Sequence, residues 1–195
     1  DAFAAEGVRF AGSFCTAPSC SPSRAALFTG RYPHSNGVMG LCHAYFAWDF
    51  HPDERHLAQI LADAGYATAA VGVIHEARSG PKRCGYQSYD PASRARKATD
   101  AAIERLRSLA GDRERPFLLY AGFVEPHRLP RADSDPPAEH GFTTPYIAPD
   151  DALGVQVPGY LRDTPGTRAE LAELQGAVNH VDGQFGRLMA ALDEL

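Results

Sequence analysis

Little in this sequence could cross a membrane, and little of it is concentrated positive charge. No apolar run approaches the roughly 20 residues that a transmembrane helix needs, so no span is expected. No signal peptide opens the chain, although that absence means little where the sequence starts at Asp1-Ala2-Phe3 without a methionine. The formal net charge is -5 and the lysines and arginines form no stripe, which argues against a nucleic-acid partner. Basic residues do gather from Arg78 to Arg96, and they read as a solvated loop. Cysteine is scarce. The four, Cys15, Cys20, Cys42 and Cys84, show no CxxC pair and no finger-like Cys/His spacing, which argues against a zinc site. With Cys20 set aside for chemistry, an odd number remains, so no complete disulfide framework is indicated and the redox compartment stays open.

What is present is the material of a folded protein. At 195 residues, 44% of them hydrophobic and 22% charged, the chain can bury one substantial core and is not disordered by composition. There is no internal repeat and no low-complexity tract.

The stretch Cys20-Ser21-Pro22-Ser23-Arg24-Ala25-Ala26-Leu27-Phe28-Thr29-Gly30-Arg31 organises the rest. A short apolar alternation from Val8 to Phe14 reads as a strand and runs into the turn-prone Cys15-Thr16-Ala17-Pro18-Ser19. Pro22 stands where a first helical residue would, Ser21 is a candidate N-cap, and Gly30 is a natural stop. Cys20 is thus expected on the turn just before a helix N-terminus, where free N–H groups favour anions. Arg24, about one helical turn later, adds a permanent positive charge on the same face. A lone cysteine is ordinarily a small buried apolar residue. A sulfur nucleophile, an anion cradle and an arginine within five residues point instead to chemistry on an anionic group.

The remainder alternates helix and strand. Tyr32 to Gly37 reads as a turn-rich loop, and the aromatic segment 38–55 as a packed loop. His56 to Ala64 is an amphipathic helix closed by Gly65, and Tyr66 to Ile74 a short buried strand. Thr99 to Ala110 and Phe117 to Val124 repeat that order, as a parallel α/β sheet requires. Residues 128–166, rich in Pro, Asp and Gly, form a long irregular loop. The last segment is a long helix with a potential capping box at Thr167 and Glu170; Gly176, Gly183 and Gly186 argue for packing on the sheet rather than an isolated coiled coil. Asp49, Asp53 and Asp63 read as loop turns or solvated helix faces rather than metal ligands. In open α/β sheets ligands bind outside the carboxyl ends of the strands. Cys20, His75 and His127 each follow a predicted strand, so a nucleophile and two imidazoles are expected on one rim.

These residues also carry a resemblance. Cys20-x-Pro22-Ser23-Arg24 with Leu27-x-Thr29-Gly30-Arg31 resembles the signature of the sulfatases, in the alkaline phosphatase superfamily. Gly72-Val73-Ile74-His75 resembles the family's Gly-Lys-x-His motif, and Glu125-Pro126-His127-Arg128 its Pro-His motif. The resemblance implies a mostly parallel sheet sandwiched by helices, incomplete at both ends, forming a single partial catalytic domain over 1–195. It implies that a maturation enzyme oxidises Cys20 to formylglycine, whose hydrate attacks sulfur. Arg24 would orient the diol, His75 would take the proton that expels sulfate, and His127 and Arg128 would bind the sulfo group, with His127 also able to protonate the leaving group. Later segments, among them Tyr146-Ile147-Ala148-Pro149-Asp150 and Val157-Pro158-Gly159-Tyr160-Leu161, resemble the N-sulfoglucosamine sulfohydrolase branch, implying N- or O-sulfated sugars as substrates. By family the setting would be secreted, periplasmic or lysosome-like; the chain itself indicates neither compartment nor oligomeric state.

Two departures qualify this. The family lysine is Val73 here, and Lys82 or Arg83 from the following loop are the candidate replacements. The family also implies Ca²⁺ bound by formylglycine at position 20, by an aspartate pair and by an Asp-Asn or Asp-His pair, and neither pair is expected in this chain. The chain is therefore expected to be weak or inactive by itself. Two other readings stay open: a phosphodiesterase or phosphonate hydrolase of the same superfamily, and a non-catalytic anion-binding homologue.

Overall fold

A computed structural model describes residues 2–43, 45–130 and 140–195. In chain order the elements are α1 (Ala2–Ala5), α2 (Cys20–Thr29), α3 (Pro33–Asn36), α4 (Leu57–Asp63), β1 (Ala67–Gly72), α5 (Pro81–Cys84), β2 (Ser88–Asp90), α6 (Ala95–Ala110), β3 (Phe117–Gly122), β4 (Leu129–Pro130), β5 (His140–Gly141) and α7 (Pro165–Asp193). They fall into two compact units, Asp1–Ile60 with His75–Gly85, and Leu61–Ile74 with Tyr86–Leu195.

The second unit holds the sheet. Its order is β2-β1-β3 and both pairings are parallel, with Ala67 opposite Phe117 and Gly72 opposite Gly122. The α/β class and parallel sheet are as the alternation of elements predicts. β1 is almost wholly buried, as a central parallel strand must be. Val71 packs with Ala98, Ala102 and Leu188, so α6 lies against the sheet and α7 against α6. Small residues on α6 permit that close approach. Gly176 of α7 instead admits the loop at Ala148: a Cβ there would strike the carbonyl oxygen of Ala148.

Several local expectations are corrected. No strand forms over Val8–Phe14; the segment is irregular, and Val8, Phe10 and Phe14 are 79%, 79% and 91% exposed. A strand needs a ladder partner, and no described segment offers one. Tyr32–Gly37 contains the short helix α3, which ends at Gly37 in left-handed conformation. α6 begins at Ala95, four residues before the expected Thr99, because the Glu125 carboxylate accepts its first N–H at 2.7 Å. α7 is capped by Thr164, whose hydroxyl accepts from Thr167 N at 3.1 Å, with Pro165 in its first turn. Thr167 is therefore the donor in the cap, three residues inside. Within 128–166 the described residues add only the two-residue pair β4/β5 and a bridge between Thr144 and Ile147; residues 131–139 lie outside the description.

Gly72 ends β1 with φ of 88°, and a Cβ on it would collide with the carbonyl oxygen of Gly122. Backbone cannot yield as a flexible side chain can. Gly72→Ala is expected to cost about 2–4 kcal/mol, read as a lowered urea midpoint with an unchanged m-value.

Candidate functional site

The first unit gathers the reactive groups around the start of α2. That helix begins at Cys20 itself, with Ser19 as N-cap, so Cys20 lies inside the first turn rather than on the loop before it. Pro22 is accommodated because the first N–H groups of a helix have no intrahelical acceptor to lose. Gly30, at φ of 66°, ends the helix as expected and donates to Ala26 O at 2.9 Å.

His75 is brought to Cys20, with Cys20 Sγ 4.0 Å from His75 Nδ1. The backbone at His75 is latched by a residue that sequence reasoning passed over. The Cys42 thiol donates to the His75 carbonyl at 2.9 Å. Cys42 N in turn donates to Ser21 Oγ at 3.2 Å, and that hydroxyl approaches Cys42 Sγ at 3.4 Å. One buried thiol thus joins the first turn of α2 to His75. Burial pushes the Cys42 thiol up, against the Ser21 hydrogen bond and with the charge of Glu76, so it stays a protonated donor. His43 is a second residue that sequence reasoning missed: its ring lies against His75 with centroids 4.3 Å apart and planes tilted by 33°.

Arg24 is not alone on its helix face. Glu76, fully buried, feels its charge. Burial raises the Glu76 carboxyl above its ordinary range, while Arg24 and nearby backbone pull it back down. Neither Glu76 oxygen makes a hydrogen bond of good geometry among the described residues, so the arginine is its main compensation. Of the two candidates to replace the lysine at Val73, Arg83 is already committed. Its Nη2 donates to the carbonyls of His51, Pro52 and Glu54, and its guanidinium lies 5.5 Å from the Phe50 ring centre. Lys82 is the second residue of the short α5.

His127 and Arg128 belong to the second unit. Glu125, which caps α6, also pairs with Arg94 at 3.6 Å and so fixes the start of their loop. His127 is exposed, its Nδ1 2.7 Å from Arg128 O. Arg128 pairs with Glu170 at 2.8 Å and donates to His140 O at 2.7 Å. Beside this loop opens a cavity of about 560 Å³ whose lining includes Arg94, Arg96, Lys97, Tyr146 and His180.

The donors around residue 20 do not match calcium. Among the described residues the ligand atoms that converge there are one sulfur and two imidazoles, from Cys20, His75 and His43. Ca²⁺ takes six to eight oxygens.

The support of α2 depends on His56. Its ring stacks on Phe28 at 4.7 Å, and its Nδ1 accepts from Ala58 N at 3.1 Å, capping α4. Burial, helped by the Arg83 charge and opposed by a backbone contact at Cys84, lowers its pKa from 6.5 to about 4. The folded protein therefore holds it neutral while the unfolded chain takes up a proton below 6.5. Stability is expected to fall by about 3 kcal/mol as pH drops through that window, measured by urea unfolding at stepped pH. His56→Asn, which does not titrate, should flatten the slope while lowering stability overall.

Compared with known proteins, residues 1–195 match the family model described as Sulfatase. Human N-sulphoglucosamine sulphohydrolase is 30% identical over 213 residues, covering 98% of this chain and 41% of that protein. The structure of the Bacteroides fragilis sulfatase yidJ superposes with a TM-score of 0.67 at 18% identity, covering 99% of this chain and 52% of that one. A structure described as complexed with its substrate D-glucosamine-2-N,6-O-disulfate superposes with a TM-score of 0.52 at 23% identity, over 63% and 28% of the two chains. The chain spans less than half the length of the human relative it matches.

Proposed function

The chain belongs to the sulfatase family, and on that premise we propose that it is the nucleophile-bearing part of a hydrolase of sulfate esters or sulfamates on sugars. The observation that carries this is the 4.0 Å approach of His75 Nδ1 to Cys20 Sγ at the first turn of a helix. Oxidised to formylglycine by a maturation enzyme, residue 20 would supply an oxygen nucleophile on its hydrated aldehyde carbon. The chain's own residues then divide the work. The free N–H groups of the α2 first turn and the Arg24 guanidinium hold the anionic sulfo group and orient the nucleophile. After sulfur is transferred and the amine or alcohol leaves, His75 accepts the proton of the second hydroxyl, which expels sulfate and restores the aldehyde. His127 binds the sulfo group or protonates the leaving group, and Arg128 offers the N–H donors not spent on Glu170 and His140 O. The cavity near Leu129 and Pro130 presents Arg96 and Lys97, which could meet a sulfated sugar, alongside the acidic Asp100 and Glu125.

The similarity to human N-sulphoglucosamine sulphohydrolase favours an N-sulfated sugar as substrate. One observation favours a second reading. Val73 stands where the family has a transition-state cation, and the loss of one such stabiliser costs about 10²–10³ in rate. A degenerate homologue that binds sulfated sugars without turning them over would keep the cradle and dispense with the lysine.

Co-expression with a formylglycine-generating enzyme, followed by mass spectrometry of the peptide containing residue 20, tests the proposal. Conversion of Cys20 is expected, together with weak sulfamate hydrolysis. His75→Ala and His127→Ala should each lower that rate by about 10²–10⁴ without changing conversion. An unconverted Cys20 with sulfated sugar still bound would instead establish the binding reading.

A further inference from the structure

Before any conversion, position 20 is a thiol, and its surroundings are those of a different kind of site. The Cys20 sulfur, a His43 ring nitrogen and a His75 ring nitrogen all lie within 4.8 Å of one another. Cys20 and His75 are half-buried and His43 is exposed, so the cluster is anchored on one side and open to solvent on the other. Across a tetrahedral zinc ion, a thiolate at about 2.3 Å and an imidazole at about 2.0 Å are separated by about 3.5 Å. The 4.0 Å between Cys20 Sγ and His75 Nδ1 needs only a small contraction to reach that value. The His43 and His75 rings are already neighbours, 4.3 Å between centroids and tilted 33° to one another. The His75 backbone is also held, by the Cys42 thiol that donates to its carbonyl.

We propose that, in the chain whose Cys20 is unmodified, Cys20, His43 and His75 form a three-ligand site for a thiophilic divalent cation such as Zn²⁺, with solvent in the fourth position. One sulfur and two imidazole nitrogens are the donors that zinc, cobalt and copper prefer and that calcium and magnesium do not. As the metal–sulfur bond forms, the thiol proton leaves to bulk solvent. The metal then occupies the sulfur that oxidation to an aldehyde would consume, so metal loading and maturation exclude one another. The residue spacings 20, 43 and 75 match no finger motif, which is why the sequence alone argues against zinc. The site goes beyond the hydrolase reading and stands without it: His43 has no part in that reaction.

The test uses the reduced chain expressed without a maturation enzyme, titrated with Co²⁺ and then with competing Zn²⁺. One equivalent of Co²⁺ is expected to give a sulfur-to-metal charge-transfer band, displaced by Zn²⁺ and untouched by excess Ca²⁺. Cys20→Ser should abolish the band, and His43→Ala should weaken Zn²⁺ binding by about 100-fold while circular dichroism stays unchanged. Cys15→Ser, at an exposed thiol, should change neither. A band that survives Cys20→Ser, full affinity in His43→Ala, or no band at all would overturn the site. None of these outcomes bears on whether residue 20 can be converted, which the mass of its peptide reports separately.

Discussion

Everything at the candidate site depends on where a helix is able to begin. α2 starts at Cys20 because Ser19 is extended, because Pro22 costs nothing in a first turn, and because Ala25 and Ala26 are small enough to be buried. That start places a sulfur among unsatisfied N–H groups, the one part of a helix with a standing attraction for negative charge. It also fixes Ser21, whose hydroxyl is the first contact of the latch running through Cys42 to His75. Moving the helix start by one residue would turn the sulfur by about 100° and dissolve both arrangements.

In the second unit, too, close backbone contacts decide where residues stand. β1 and β3 are parallel and end in register at Gly72 and Gly122, where the backbones approach too closely for any side chain. Beyond β3, Glu125 turns from loop residue to helix cap, fastening the segment that carries His127 to the start of α6. A carboxylate at that end of a helix gains from the dipole, so stability and placement of the loop are served by one contact.

How much of this was legible depends on the range over which each feature is decided. The helix–Gly–strand order at 57–72 and 95–122 rests on local periodicity, and it could be read directly; so could the end of α2 at Gly30. The alternation at Val8–Phe14 is just as periodic, yet a strand exists only with a partner, and periodicity says nothing of partners. The start of α2 was misplaced by two residues, and that of α7 by less than one turn, because Ser, Thr and Pro crowd both starts and only geometry selects where each helix begins. Cys42, His43, Glu76 and Glu125 were passed over for a different reason. Each acts through a neighbour distant in sequence; Cys42, His43 and Glu76 belong to no spaced motif, and Glu125 only flanks the Pro-His pair. The one available hint was that Glu76, a charged residue, directly follows an apolar strand and His75, where burial is to be expected.

The latch at Cys42 has a consequence for redox chemistry. Cys20 and Cys42 both lie close to His75, and a disulfide between them would consume the sulfur that the proposed maturation of residue 20 requires. Cys42 is buried, keeps its proton, and spends its S–H on the His75 carbonyl. Exchange and oxidation run through the thiolate, so this sulfur is a poor attacker, and recruiting it would mean releasing the carbonyl it holds. An oxidant entering the site therefore meets one competent sulfur beside a chemically quiet one. Selectivity for position 20 is provided by the hydrogen bond that also holds the histidine in place.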